Sequence, residues 1–145
     1  MSGRDSARIA FSGGTGILTE STRGAPEEAD VAKDEDLLLI LGSAGLGDGE
    51  PDLGEKLMTA FLSTLFESEK LPARIICMNS GIFLTTEGSP VLELLAKFEG
   101  EGCEILSCGT CLEYFGRSQA LRIGMPTNMR DTVASMLSFT RVLTP

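Results

Sequence analysis

From Asp36 to the end of the chain, short apolar runs alternate with stretches of helical periodicity. "LLLILG", residues 37–42, is apolar at every position before its glycine, the pattern of a strand covered on both faces. A Gly-rich loop, "GSAGLGDGEPDLG", follows it. Leu53, Leu57, Met58, Phe61, Leu62, Leu65 and Phe66 then recur at the spacing of one broad helical face. "ARIICMN" (73–79) reads as a second buried strand. In "EGSPVLELLAKFEGEG" the pattern predicts a helix with Ser89 as N-cap, Pro90 at its first position, and Gly100 and Gly102 ending it. "CEILS" (103–107) is a third strand, and "CGTCLEYFG" starts a short helix stopped by Gly116. A weaker strand, "ALRIG" (120–124), precedes the helix "NMRDTVASMLSF" (128–139), and "RVLT" (141–144) supplies a last strand. This alternation predicts an α/β fold, a three-layer α/β/α sandwich on a mainly parallel sheet of about five strands.

Residues 1–35 break the pattern. They are rich in Gly, Ser, Thr and acidic side chains, with one brief apolar stretch at Gly16-Ile17-Leu18. Such a segment buries too little surface to offset the entropy of ordering it, so it reads as a tail or linker ahead of a domain spanning 36–145. "ARIAF" (7–11) is its one candidate for an edge strand.

Composition narrows the functions available. The formal net charge is -9, with 21 acidic and 12 basic side chains, and a surface this acidic repels phosphate backbones. General nucleic-acid binding is not expected. No apolar run approaches the ~20 residues of a membrane span, and the first residues lack the pattern of a signal peptide; the expectation is a cytoplasmic protein away from membranes. The chain has four cysteines and no histidine, which removes Ser-His-Asp and Cys-His catalysis and every histidine-containing zinc site.

An open parallel sheet binds ligands at the C-terminal ends of its strands, and three features fall there: the Gly-rich loop, "NSG" after Met78, and "CGTC" after Ser107. Cys108 and Cys111 form the strongest of them. A thiol placed where a strand enters a helix faces unpaired backbone N–H groups that favour the thiolate, and a second thiol one turn on can attack a sulfur bound to the first. The plain alternative is a pair of core thiols. One CxxC without histidine falls short of a structural zinc site, so no metal and no cofactor are expected. The CxxC also lies too late in the chain for a thioredoxin layout. Gly45 and Gly47 give the loop backbone N–H groups that can curl around an anion, or merely a turn before a helix. The loop lacks the Lys-Ser/Thr of a phosphate loop, which excludes nucleotide hydrolysis. Asn79, Ser80 and Gly81 read equally as a turn or as ligand contacts beside the cysteines. Cys77 and Cys103 read as small core residues.

Taken together, "MNSG", "EGSPVLELL", "ILSCGTCLEYFG" and "TNM" resemble the DsrE-like domain of YedF-type selenium-metabolism proteins, over about residues 36–145. The resemblance implies a small flavodoxin-like α/β protein that is often oligomeric, a dimer or trimer. It implies a sulfurtransferase-like function in which Cys108, at the end of the third strand, accepts sulfane sulfur or selenium as a persulfide. Cys111 would be the resolving thiol, with Gly45, Gly47, Asn79, Ser80, Gly81, Gly109, Thr110 and Asn128 contacting substrate or anion. YedF-type proteins usually carry an N-terminal SirA/TusA-like domain with a Cys-Pro motif. No cysteine here precedes proline, so the resemblance implies a SirA/TusA-like carrier acting in trans. The rival reading is a non-catalytic binding or assembly module whose CxxC senses redox state. Large apolar residues in "IFLTT" and "CLEYF" (Ile82, Phe83, Leu84, Tyr114 and Phe115) suggest an interface beside the cysteines.

Overall fold

The computed structural model describes residues 32–145. Of the tail expected over residues 1–35, residues 1–31, with the "ARIAF" segment, lie outside the described residues, and 32–35 belong to the first strand. The described chain runs β1 (Ala32–Leu41), α1 (Pro51–Glu67), β2 (Lys70–Cys77), a 3₁₀ segment (Asn79–Leu84), α2 (Leu92–Gly100), β3 (Glu104–Cys108), α3 (Gly109–Tyr114), β4 (Met125–Thr127), α4 (Met129–Ser138) and β5 (Arg141–Leu143). β1 therefore begins five residues before Leu37, where the apolar run alone would start it.

The five strands form one sheet in the order β4-β3-β2-β1-β5, and every pairing is parallel. This is the expected α/β architecture. Parallel neighbours need crossovers, and crossovers are overwhelmingly right-handed. The chain steps the same way from β1 to β4, so the intervening helices stack on one face; the return from β4 to β5 sends α4 to the other. Packing follows that logic. Leu39, Leu41, Ile75, Cys77 and Ile105 point to one face, where Met58 and Leu62 of α1, Leu95 and Phe98 of α2, and Leu112 of α3 cover them. Leu38, Ile40 and Ile76, one step out of phase, point to the opposite face with Met78, Leu106 and Phe139. Strand positions 37–41 are thus buried on both sides, as their unbroken apolar run requires.

The second face is thinly covered. The residues that α4 buries are Thr132 and Ser135, whose hydroxyls bond to the carbonyls of Asn128 and Asp131. Arg74 donates to Ser135 Oγ at 2.7 Å and to Glu104 at 2.8 Å. Met129, Val133, Met136 and Leu137 face outward at i, i+4, i+7 and i+8, with Leu137 82% exposed.

Three local expectations need correction. "ALRIG" is not the fourth sheet strand. Leu121 bridges antiparallel to Thr86, the Arg122 N–H donates to the Thr85 carbonyl, and the Glu87 N–H donates to the Ala120 carbonyl. Its apolar residues therefore close the core edge outside the sheet. The chain then turns at Gly124 (φ +77), whose missing side chain admits the Ile105 carbonyl, and only Met125–Thr127 pair with β3. Pro126 is tolerated there because β4 is an edge strand. Ser89 does not cap α2: its Oγ accepts from the Val91 N–H, and the helix starts at Leu92, beyond Pro90. The second strand ends at Cys77, and "NSGIFL" winds into the 3₁₀ segment. That segment buries Ile82 and Leu84, leaves Phe83 and Phe115 half-buried, and so reduces the apolar surface expected beside the cysteines to Tyr114, 84% exposed, and those two ring edges.

Candidate functional site

The strand order fixes where a crevice can open. The connection leaving β3 packs on the α1–α3 face, and the connection leaving β4 crosses to the α4 face. The chain therefore parts between the C-terminal ends of these two strands. Cys108 is the last residue of β3 and sits opposite Thr127, the last of β4. Gly109 lies close to β4: a Cβ there would stand 3.3 Å from the Thr127 carbonyl.

Cys108 is buried, and its backbone is extended (φ -62, ψ 121) at the start of α3. Cys111, one turn further, is half-buried. Both are free thiols. α3 has six residues, too short for a developed dipole. A different donor is present. The Asn79 backbone N–H donates to Cys111 Sγ at 3.1 Å. Burial raises the Cys111 thiol above its ordinary pKa, and the neighbouring Cys108 thiol raises it further, while the Asn79 N–H acts the other way.

Asn79 reaches this position in the left-handed region, with φ +52, the one non-glycine residue so placed among those described. Asparagine tolerates that conformation better than most, at a cost of order 1 kcal/mol, and such strain persists only where the surroundings fix it. They do so here. The Met78 N–H donates to the Leu41 carbonyl at 3.0 Å, and the Gly81 N–H donates to the Met78 carbonyl at 2.8 Å. Gly81 packs directly on the Leu41 carbonyl, where no Cβ fits. Ser80 Oγ accepts from the Ala44 N–H at 3.3 Å, joining the turn to the Gly-rich loop. The ends of β1, β2 and β3 are thereby held as one rim.

A cavity of about 370 Å³ opens at this rim, lined by Asn79, Thr110, Cys111, Tyr114 and Phe115. Cys108 is not among its lining residues. The five described residues that line it carry no charge. Tyr114 and Phe115 are contributions the sequence reading treated only as interface material. They follow Cys111 at i+3 and i+4, the spacing of one helical face, and that spacing was the available signal. Phe115 contacts Phe83 at 4.9 Å between ring centres, and the Arg117 guanidinium lies 5.0 Å over the far ring. Arg117 also donates to the Glu87 carbonyl and lines a second cavity of about 370 Å³ with Ala44, Glu55, Met58, Phe83 and others.

The remaining sequence candidates are placed as follows. Gly45 packs on Gly54 of α1, its N–H donates to Ser43 Oγ, and the neighbouring Leu46 N–H donates to the Gly54 carbonyl. The Gly45 and Leu46 N–H groups thus hold the loop to itself and to α1. Gly47 (φ +86) is exposed and apart from the cysteine cavity. Asn128 caps α4, its Oδ1 accepting from the Asp131 N–H at 2.8 Å. Cys77 and Cys103 are buried, and burial, aided by Cys103, pushes the Cys77 thiol up to about 12. Among the described residues no group of three or more metal-ligating side chains converges, and no helix is long and apolar enough to cross a membrane.

No protein-family model matches the chain, and no curated protein does. Solved structures do. The ychN protein from E. coli superposes with a TM-score of 0.56 at 18% identity, covering 77% of this chain and 99% of its own. MTH1491 from Methanobacterium thermoautotrophicum, described as of unknown function, gives 0.57 at 11%, covering 77% and 100%. BT1422 from Bacteroides thetaiotaomicron, a conserved protein also of unknown function, gives 0.51 at 19%, covering 76% and 95%. At these identities the likeness is one of fold, and the fold is the DsrE-like α/β fold.

Proposed function

We propose that this protein is a sulfurtransferase-like carrier in which the Cys108–Cys111 pair takes up one sulfane sulfur, or selenium, and passes it on. The observation that carries the reading is the placement of two free thiols one turn apart at the β3 rim, one of them in an open cavity with a backbone N–H on its sulfur. In uptake, a cysteine thiolate attacks the outer sulfur of a donor persulfide. The donor's S–S bond breaks, a persulfide forms on the protein, and the donor leaves as its thiolate. In discharge, the second thiolate attacks the inner sulfur, a Cys108–Cys111 disulfide forms, and hydrosulfide leaves. The sulfane sulfur gains the two electrons that the two thiols lose, and a dithiol reductant resets the pair.

In this reading the donor is a carrier protein of SirA/TusA-like character acting in trans in the cytoplasm. Incubating the reduced protein with a small-molecule persulfide tests uptake: the wild type should release hydrosulfide as its pair closes to a disulfide, and one of the two variants lacking a single cysteine of the pair should keep the mass of one sulfur atom until a dithiol removes it. A pair that cycles between dithiol and disulfide and alters partner binding, with no sulfur taken up by either variant, is the redox-sensing module instead. Self-association as a dimer or trimer belongs to the same reading, with exposed Tyr114 at the cavity mouth shielding the bound sulfur. Light scattering at micromolar concentration should return a multiple of 15.4 kDa; a monomer removes that shielding.

A further inference from the structure

The strand-end position of Cys108 marks it, on sequence, as the thiol that receives sulfur. The geometry points to the reverse order. Cys108 is buried, with its chain paired into the sheet against Thr127, and it does not line the cavity. Cys111 does, between Thr110 and the rings of Tyr114 and Phe115. The attacking thiolate must meet the donor's outer sulfur in line with the donor S–S bond, so the thiol facing open space is the one a bulky donor reaches.

The Asn79 turn selects the same atom. Its N–H is aimed at Cys111 Sγ at 3.1 Å and is held there by the Leu41 carbonyl, Gly81 and Ser80. A donor fixed on a sulfur stabilises negative charge developing on that sulfur without reorganising during the reaction. A left-handed asparagine pinned from three sides is a costly way to fill a turn, and the hydrogen bond to Cys111 is what it achieves.

We therefore propose that Cys111 is the receiving thiol, with the Asn79 N–H supporting its sulfur, and that Cys108 is the resolving thiol behind it. This rests on the carrier reading above and assigns its two roles. Uptake forms the Cys111 persulfide and frees the donor thiolate; Cys108 thiolate then attacks Cys111 Sγ, giving the disulfide and hydrosulfide, with a dithiol reductant completing the cycle.

Two measurements decide it. Brief alkylation of the reduced wild-type protein with iodoacetamide, followed by peptide mapping, reads accessibility without any sulfur transfer; Cys111 should be modified at least about tenfold faster than Cys108. Loading with glutathione persulfide should leave a lasting sulfur on Cys111 in Cys108→Ser, because nothing discharges it, and none in Cys111→Ser. Circular dichroism confirms that each variant is folded. Faster alkylation of Cys108, or sulfur retained on Cys108 in Cys111→Ser, overturns the role assignment and leaves the carrier reading standing. Sulfur on neither cysteine of the wild type or either variant overturns both.

Discussion

Replacing Gly81 by alanine should destabilise the fold by about 2–4 kcal/mol and lower Tm by roughly 10–20 °C. The added methyl would be driven onto the Leu41 carbonyl, and backbone on both sides blocks any retreat. That carbonyl accepts the Met78 N–H at 3.0 Å and ends the buried 37–41 stretch of β1. Relief therefore requires breaking a buried hydrogen bond, withdrawing the turn, or both, and each also moves Asn79 away from Cys111. The variant should accordingly lose sulfur uptake even at temperatures where it remains folded. Gly42→Ala is the control. Gly42 adjoins the same strand end, yet a Cβ there meets nothing within 4 Å and its φ is not left-handed. Its Tm should stay within a few degrees of wild type. A Gly81→Ala protein that melts like wild type would show that the turn is not pinned as described.

Much of this architecture is legible in the chain. Residues 37–41 are apolar without interruption because helices cover both faces of a central strand, and that pattern needs no tertiary knowledge. α1 follows in part: its buried Met58 and Leu62 fall on the stripe read from sequence, while Leu53 and Leu57 of that stripe stay exposed. What sequence could not reveal is where short apolar segments find partners. Leu121 pairs with Thr86 rather than with β3, a contact between residues far apart in the chain. The direction of each edge pairing and the crossing of α4 to the second face are likewise properties of the assembled sheet.

The site divides in the same way. The cysteine pair and its place at the end of β3 follow from local pattern. The order of exposure within the pair does not, because it depends on Asn79 and Phe83 reaching across from another segment. A helix start favours a thiolate through the dipole of a longer helix than the six residues of α3. The stabilising N–H comes instead from a turn after β2, and its sequence signal, Asn-Ser-Gly, reads equally well as an ordinary strand-end turn. Asn128 shows the opposite case. It looks like a polar residue near a rim, and the structure uses its side chain as a helix cap.

Cys77 offers the second large effect, and it appears in alkaline solution. Its thiol is fully buried in β2 and is pushed up to about 12, chiefly by desolvation of the thiolate and then by Cys103. In the unfolded chain the same thiol ionises near the ordinary value of about 8.5. Between these values the unfolded state binds fewer protons than the native one, so stability is intact below about pH 8.5 and falls as pH rises toward 12. The slope from this one group approaches about 1.4 kcal/mol per pH unit, or roughly 2–3 kcal/mol between pH 8.5 and 10.5. Cys77→Ala should be less stable at pH 7, because it leaves a small void beside Ile75 and Leu41. Its stability should nevertheless decline more slowly with alkali, so that the two curves of urea-unfolding free energy against pH converge above pH 9. Parallel curves would mean that Cys77 ionises freely in the native protein, and that the core around β2 is wetter than its packing indicates.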